Sequence, residues 1–217
     1  ALEIGAVDFI AKPSFEELNA TKDSFKELLL TKVKLAVTID QKNYSLTRSM
    51  TNEHSGGVSA FLGVARNNHL IAIGASTGGT EAIKNILSML PVNSPAIVIT
   101  QHIPKTFSLR FAERLNETCQ LSVQEAKHGQ KIKPGNAYIA PGDKHLVVVE
   151  KNGTLFSVLE DSEPVNRHKP SVDVLFNGLI PIANNVQAVL LTGMGNDGAQ
   201  GMLALKKHGA RTIIQDK

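Results

Sequence analysis

The chain has 217 residues, 42% of them hydrophobic, and a net charge of +3, which suits a soluble domain with a sizeable core plus appended material. No apolar run approaches the roughly 20 residues that cross a bilayer, and the lysines are scattered, without Trp or a basic stripe, so neither membrane insertion nor nucleic-acid binding is expected. The single cysteine, Cys119, excludes an internal disulfide and a cysteine zinc site, and points to a reducing cytoplasm.

The N-terminus, Ala1-Leu-Glu-Ile-Gly5, has no basic region leading into an apolar one, so it does not read as a signal peptide. It also lacks an initiator Met, and a piece of a longer chain is expected. Ala6-Val-Asp-Phe-Ile-Ala11 reads as a short buried strand broken by Lys12-Pro13, and Phe15, Leu18, Phe25, Leu29 and Val33 recur at helical spacing. One strand and one helix cannot bury both their faces, so residues 1–35 do not form a domain alone. Residues 36–69 lose the periodicity; a polar stretch, the joint Ser55-Gly56-Gly57 and the turn-like Arg66-Asn67-Asn68 read as a linker.

From residue 70 the pattern becomes that of an α/β domain. Strands are expected at Leu70–Ile73 and Ala96–Thr100, with helices at Thr80–Leu90 and Thr106–Glu117. Further on, a strand over Gln187–Thr192 precedes a helix over Gly198–His208 and a strand over Arg211–Gln215. Alternation of this kind implies right-handed crossovers and a parallel sheet. Between the two halves, Ala137–Ala140, His145–Val149 and Thr154–Leu159 read as strands separated by Pro141-Gly142-Asp143 and Asn152-Gly153, so part of this stretch is an antiparallel hairpin. The expected fold class is α/β: a doubly wound, mostly parallel sheet with an antiparallel hairpin, in a Rossmann-like three-layer sandwich. The chain ends just after a strand, where a closing helix is expected to be missing.

Ligands of open α/β sheets bind outside the carboxyl ends of the strands. Three turns at such ends carry unusual residues: Gly74-Ala-Ser-Thr-Gly-Gly79, Gln101-His-Ile-Pro104 and Gly193-Met-Gly-Asn-Asp-Gly198. A serine, a histidine and an acid therefore leave one edge of one sheet. A serine hydroxyl is a weak nucleophile until a base takes its proton, histidine suits that task, and a carboxylate behind it fixes the tautomer and stabilises the imidazolium. Ser76 lies in Gly-x-Ser-x-Gly between strand and helix, the setting of a nucleophile elbow. The helix that follows points its positive end at developing charge. Backbone N–H groups of Gly193–Gly195 are candidates for an oxyanion hole.

Blander readings exist for each. Ser76 could serve helix entry, His102 could begin the helix after Pro104, and Asp197 could cap the helix after Gly198. A dinucleotide turn is disfavoured because Ala96–Gln101 ends without an acid for a ribose, and a phosphate loop because Gly-Lys-Ser/Thr is absent. Cys119 has no nearby base and reads as packing. His128 and His145 read as structural, while His168 and Lys169 either line the cleft, with Lys169 attracting an acidic substrate, or lie in a solvated loop.

Gly74-Ala-Ser-Thr-Gly-Gly-Thr80, Gln101-His102, Tyr138-Ile-Ala-Pro-Gly142, His168-Lys-Pro-Ser-Val-Asp173 and Thr192-Gly-Met-Gly-Asn-Asp-Gly198, in that order over residues 69–217, closely resemble the chemotaxis protein-glutamate methylesterases. The resemblance implies hydrolysis of glutamyl γ-methyl esters on chemoreceptor helices, with release of methanol, and deamidation of receptor glutamines. It assigns Ser76 as nucleophile, His102 as base and Asp197 as orienting acid. Met194 and Gly195 fall at oxyanion and substrate-binding positions, and Thr77 helps to shape the site. It implies no metal or organic cofactor. The order Ser…His…Asp differs from the Ser…Asp/Glu…His of α/β-hydrolases and so disfavours a general esterase. A non-catalytic signalling module is the other alternative, which loss of Ser76 or His102 would have favoured. Ala6–Pro13 looks like the last strand of a receiver domain, with Lys12 at the position that contacts a phosphoryl group. Residues 1–35 are thus a receiver remnant, 36–69 a linker and 70–217 the catalytic domain, and a histidine-kinase phosphodonor is expected only for an intact receiver. The family normally has one more strand-and-helix segment at its C-terminus.

Overall fold

The computed structural model describes residues 10, 22–23, 25–27, 29–30, 32–34, 69–193 and 195–216, and the chain divides into two units, Ala1–Gly57 and Val58–Lys217. In the first unit, residues 22–23, 25–27, 29–30 and 32–34 are helical, as their spacing predicts. Leu29 and Val33, expected on that helix's apolar face, are exposed. The strand expected over 6–11 and the linker over 36–69 fall, apart from Ile10 and His69, outside the described residues.

In the second unit the order is β1 (Leu70–Ala75), α1 (Gly79–Met89), β2 (Ala96–Gln101), α2 (Lys105–Thr118), β3 (Ser122–Glu125), β4 (Gln130–Lys131), β5 (Asn136–Ile139), β6 (His145–Lys151) and β7 (Thr154–Glu160). Then follow α3 (Val172–Gly178), a 3-10 turn over Ile180–Asn185, β8 (Val186–Leu190), α4 (Ala199–Lys207) and β9 (Arg211–Ile214). Six strands form one sheet in the order β3-β5-β2-β1-β8-β9, and every neighbouring pair is parallel.

The period-2 alternation of its central strands explains the layers. Leu70 and Ala72 of β1, with Ala96 and Val98 of β2, face a core completed by Val172, Leu175 and Phe176 of α3 and by Met202 and Leu205 of α4. Ile73, Ala75, Ile97 and Ile99 face the opposite core, against Ile83 and Leu87 of α1 and Ala112 and Leu115 of α2. Because both faces are covered, the central strands read as continuous apolar runs. This is the expected α/β sandwich.

The antiparallel part is a second sheet, β4-β7-β6, and its turn is Asn152-Gly153, with φ of 51° and 71° and Lys151 opposite Thr154. Such a two-residue turn with both centres left-handed matches the twist of a hairpin. The strand at Ala137–Ala140, grouped with this hairpin by its sequence spacing, instead belongs to the parallel sheet as β5. Pro141-Gly142-Asp143 carries the chain from one sheet to the other rather than closing a hairpin. β3 and β4 were not expected: β3 is four residues with one buried side chain, Val123, and β4 is two residues long. Neither is long enough to show a period. Among the described residues no helix is long and apolar enough to cross a membrane.

Candidate active site

β2 and β8 flank β1 in parallel register, with Ala75 opposite Gln101 and Gly74 opposite Leu190. The chain therefore leaves all three strands at one edge of the sheet. Ser76 follows β1 directly, His102 follows β2 directly, and Asp197 lies on the connection from β8 to α4.

The backbone of Ser76 is held from three sides. Its N–H donates to Thr192 O at 3.0 Å, while its carbonyl accepts from Gly79 N–H and from Gln101 Nε2, both at 2.8 Å. Gln101 Nε2 also donates to the carbonyl of His102 at 3.2 Å, and His102 N–H donates to Ala75 O at 3.1 Å. One buried amide thus ties the serine turn to the histidine turn. Two glycines make this packing possible. A Cβ at Gly193 would lie 2.8 Å from Ser76 Cβ, and one at Gly79 would strike Gln101 Oε1 and come within 2.6 Å of Ala75 Cβ.

The side chains then meet. His102 Nδ1 is 3.0 Å from Ser76 Oγ, and His102 Nε2 is 2.8 Å from Asp197 Oδ2. An ionised carboxylate only accepts, so neutral His102 carries its proton on Nε2 and offers the Nδ1 lone pair to the serine hydroxyl. Asp197 does not cap the helix that follows it: α4 begins after Gly198 without a side-chain cap. Its carboxylate lies instead at the N-terminus of α3, a helix from another part of the chain. Oδ2 accepts from Val172 N–H at 2.7 Å, and Oδ1 accepts from Ser171 Oγ at 2.7 Å, Asn166 Nδ2 at 2.8 Å and Asp173 N–H at 3.3 Å. Burial by itself pushes this carboxyl upward. Hydrogen bonds from His102, Asn166, Ser171 and Val172 outweigh burial and hold it well below the ordinary carboxylate range. Ser171 works in both directions, since its Oγ also accepts from Val174 N–H as the N-cap of α3.

Ser76, His102 and Asp197 line a small cleft of about 70 Å³, with Val172, Leu190 and Gly193 among its walls. Gly195, at φ 92° with open space where a Cβ would stand, also lines it. Thr77 is buried beside Ser76. Met194 lies outside the described residues. Among the described residues no group of three or more His, Cys, Asp or Glu could hold a metal ion.

The remaining candidates resolve differently. His145 is fully buried, its ring bonded to Glu163 O at 3.1 Å and to Ser171 N–H at 3.1 Å; it supports the α3 entry. His128 bonds the backbone of Leu159 at the end of β7. Burial raises the Cys119 thiol above its ordinary pKa, the opposite of an activated nucleophile. Lys169 is engaged by Asp161 at 2.6 Å, together with Lys144 at 2.8 Å. Sequence reasoning assigned no role to Gln101 or Asn166, nor to Ser171 beyond its place in a motif. The available signal for Ser171 was its position just before a helix.

The model of the CheB methylesterase family matches residues 71–217. The protein-glutamate methylesterase/protein-glutamine glutaminase of Salmonella typhimurium is 45% identical over all of this chain and 60% of its own length, and that of Photorhabdus laumondii is 48% identical over 61% of its length. This chain therefore spans about 60% of the curated relatives it matches. In structure it is similar to the CheB methylesterase catalytic domain of Thermotoga maritima, with a TM-score of 0.67 and 40% identity, covering 69% of this chain and 80% of that one. With the sheet order, the three turns at its edge and these matches agreeing, the chain belongs to the CheB methylesterase family.

Proposed function

We propose that residues 70–217 hydrolyse glutamyl γ-methyl esters on methyl-accepting chemotaxis receptors by acyl transfer through Ser76. The observation that carries the reading is the unbroken contact from Ser76 Oγ through both nitrogens of His102 to Asp197, at 3.0 and 2.8 Å. Ser76 Oγ bonds to the ester carbonyl carbon as His102 Nδ1 takes the hydroxyl proton. The imidazolium, stabilised by the Asp197 carboxylate, returns that proton to the departing methoxide, and methanol leaves. Water then gives a proton to His102 and attacks the acyl-serine, regenerating Ser76 and releasing the glutamate side chain. The same steps with ammonia leaving deamidate a glutamine. We assign the oxyanion to the backbone N–H groups of Gly193 and Gly195 with the N-terminus of α1; the family resemblance adds Met194 to that position and Thr77 to its surroundings. No metal or organic cofactor takes part.

In this reading residues 1–35 are the end of a receiver domain, residues 36–69 are its linker, and a histidine kinase supplies phosphoryl groups only to an intact receiver. The setting is cytoplasmic. The test is methanol release from methylated receptor membranes by this protein and by Ser76→Ala. Loss of release in the variant is expected; equal rates would remove the nucleophile.

A further inference from the structure

Between β7 and α3 the backbone makes a tight two-residue turn. Val165 N–H donates to His168 O at 3.0 Å and His168 N–H to Val165 O at 2.9 Å. Asn166 and Arg167 between them have φ of 52° and 68°. Left-handed φ is costly for most L-residues, and Asn tolerates it best because its short polar side chain bonds locally. Here the Asn166 side chain bonds over a distance instead. Its Nδ2 donates to Asp197 Oδ1 at 2.8 Å and to Asp173 Oδ2 at 2.7 Å, placing one neutral donor between two carboxylates. Two residues on, the ring of His168 stacks on that of His102, with centroids 3.6 Å apart and planes within 10° of parallel.

We propose that the Val165–His168 turn is a positioning element for the hydrolytic residues, Asn166 acting on Asp197 and His168 on His102. The inference rests on the reading of Ser76, His102 and Asp197 given above. Hydrogen bonds at Nδ1 and Nε2 fix only a line through the imidazole, and the ring can still tilt about that line. A flat ring at stacking distance removes the tilt, keeping the Nδ1 lone pair aimed at the serine hydroxyl. Asn166 acts on the other end: it separates two like charges and holds the Asp197 oxygen that His102 does not use. Because the turn is closed by its own backbone bonds, both contacts are in place before a substrate arrives.

The test uses the full chain with Asn166→Asp, His168→Ala and His168→Phe. Asp keeps the size and the tolerance for the left-handed backbone, but when ionised it sets a third carboxylate against Asp197 and Asp173. Protonated, it becomes a donor again. The other titratable or charged groups around it are His102 beyond Asp197, His145 of β6 behind Ser171, and Arg167 and His168 on its own turn; Lys169 is held by Asp161. Crowded carboxylates hold protons more tightly, so the N166D-to-wild-type ratio of kcat is expected to rise as pH falls from about 8 to about 5.5. At the upper end, kcat falls about 10–100-fold with KM little changed, the scale of a small misplacement. His168→Ala lowers kcat about 10-fold, and His168→Phe, which keeps a flat face, recovers most of it.

Two assays run in parallel: ester hydrolysis on methylated receptor membranes, and labelling of Ser76 by a fluorophosphonate. If wild-type protein is not labelled at Ser76, or Ser76→Ala hydrolyses as well as wild type, the underlying reading fails and takes this inference with it. If wild type passes both, the inference alone is overturned by a pH-independent N166D ratio, by wild-type kcat in His168→Ala, or by a Phe variant no better than Ala. Should N166D fail to fold, the two His168 variants decide.

Discussion

His102 turns Nδ1, not Nε2, toward Ser76, at 3.0 Å, leaving Nε2 to Asp197 at 2.8 Å. In the proposed mechanism the serine proton therefore passes to Nδ1, the nitrogen nearer the side-chain stem. Asp197 is held far on the anionic side, so its carboxylate takes up no proton between neutral pH and about pH 5. A plot of log kcat/KM against pH is therefore expected to fall there with a slope no steeper than one. A slope of two would mean that the carboxylate titrates as well. His102→Gln should lower kcat by about 1000-fold or more and suppress fluorophosphonate labelling of Ser76.

Asp197→Asn tests the acid more severely than its small change in size suggests. Every partner of both oxygens is a donor: His102 and Val172 at Oδ2, and Asn166, Ser171 and Asp173 at Oδ1. An amide NH₂ at either position meets donors that it cannot accept. The expected result is a loss of about 10³–10⁴ in kcat, as when a triad carboxylate becomes an amide, with about 1–3 kcal/mol of stability lost at pH 7. The sign with pH follows from the depressed carboxyl. Its contribution is complete above the unfolded value of 3.8 and is lost as pH falls toward the folded one. Urea unfolding of wild type and variant should therefore converge below about pH 4.

Gly193→Ala should separate activity from stability. The new Cβ would sit 2.8 Å from Ser76 Cβ and 3.3 Å from Ser76 N, so the serine must move. Gly193 itself is exposed, so the core is untouched. A displacement of about 1 Å is expected to cost about 100-fold in kcat, while the thermal midpoint stays within about 2 °C, as for a surface substitution away from the core.

Gln101→Leu removes the amide that joins the serine and histidine turns. The carbonyl of Ser76 keeps its bond from Gly79, while that of His102 loses Gln101 Nε2. About 1–3 kcal/mol of stability should be lost for the buried group left behind, and kcat should fall with it, read by chemical unfolding and initial rates on one preparation. Unchanged kcat in a well-folded variant would show that the two turns are aligned without this bridge.

The α/β sandwich was legible in the chain because burying both faces of a parallel sheet imposes continuous apolar strands, and Leu70–Ala75 and Ala96–Gln101 carry that mark. Ser76 and His102 were legible for a related reason: a parallel strand must end before its crossover, so the next residue falls at the binding edge of the sheet. β3 and β4 were hidden by their shortness, and β5 by neighbours that suggest hairpins, since a strand's own residues do not say which sheet it will join. Local reasoning gave Asp197 a plausible duty as the cap of its own helix. Only tertiary structure sends its carboxylate to the N-terminus of α3 instead, because the donors it meets come from Asn166, Ser171 and Val172, a segment brought beside it by packing. The same holds for the stacking of His168 on His102. Periodicity records what a residue does within its own element; the partner it meets from another element is decided when the layers close.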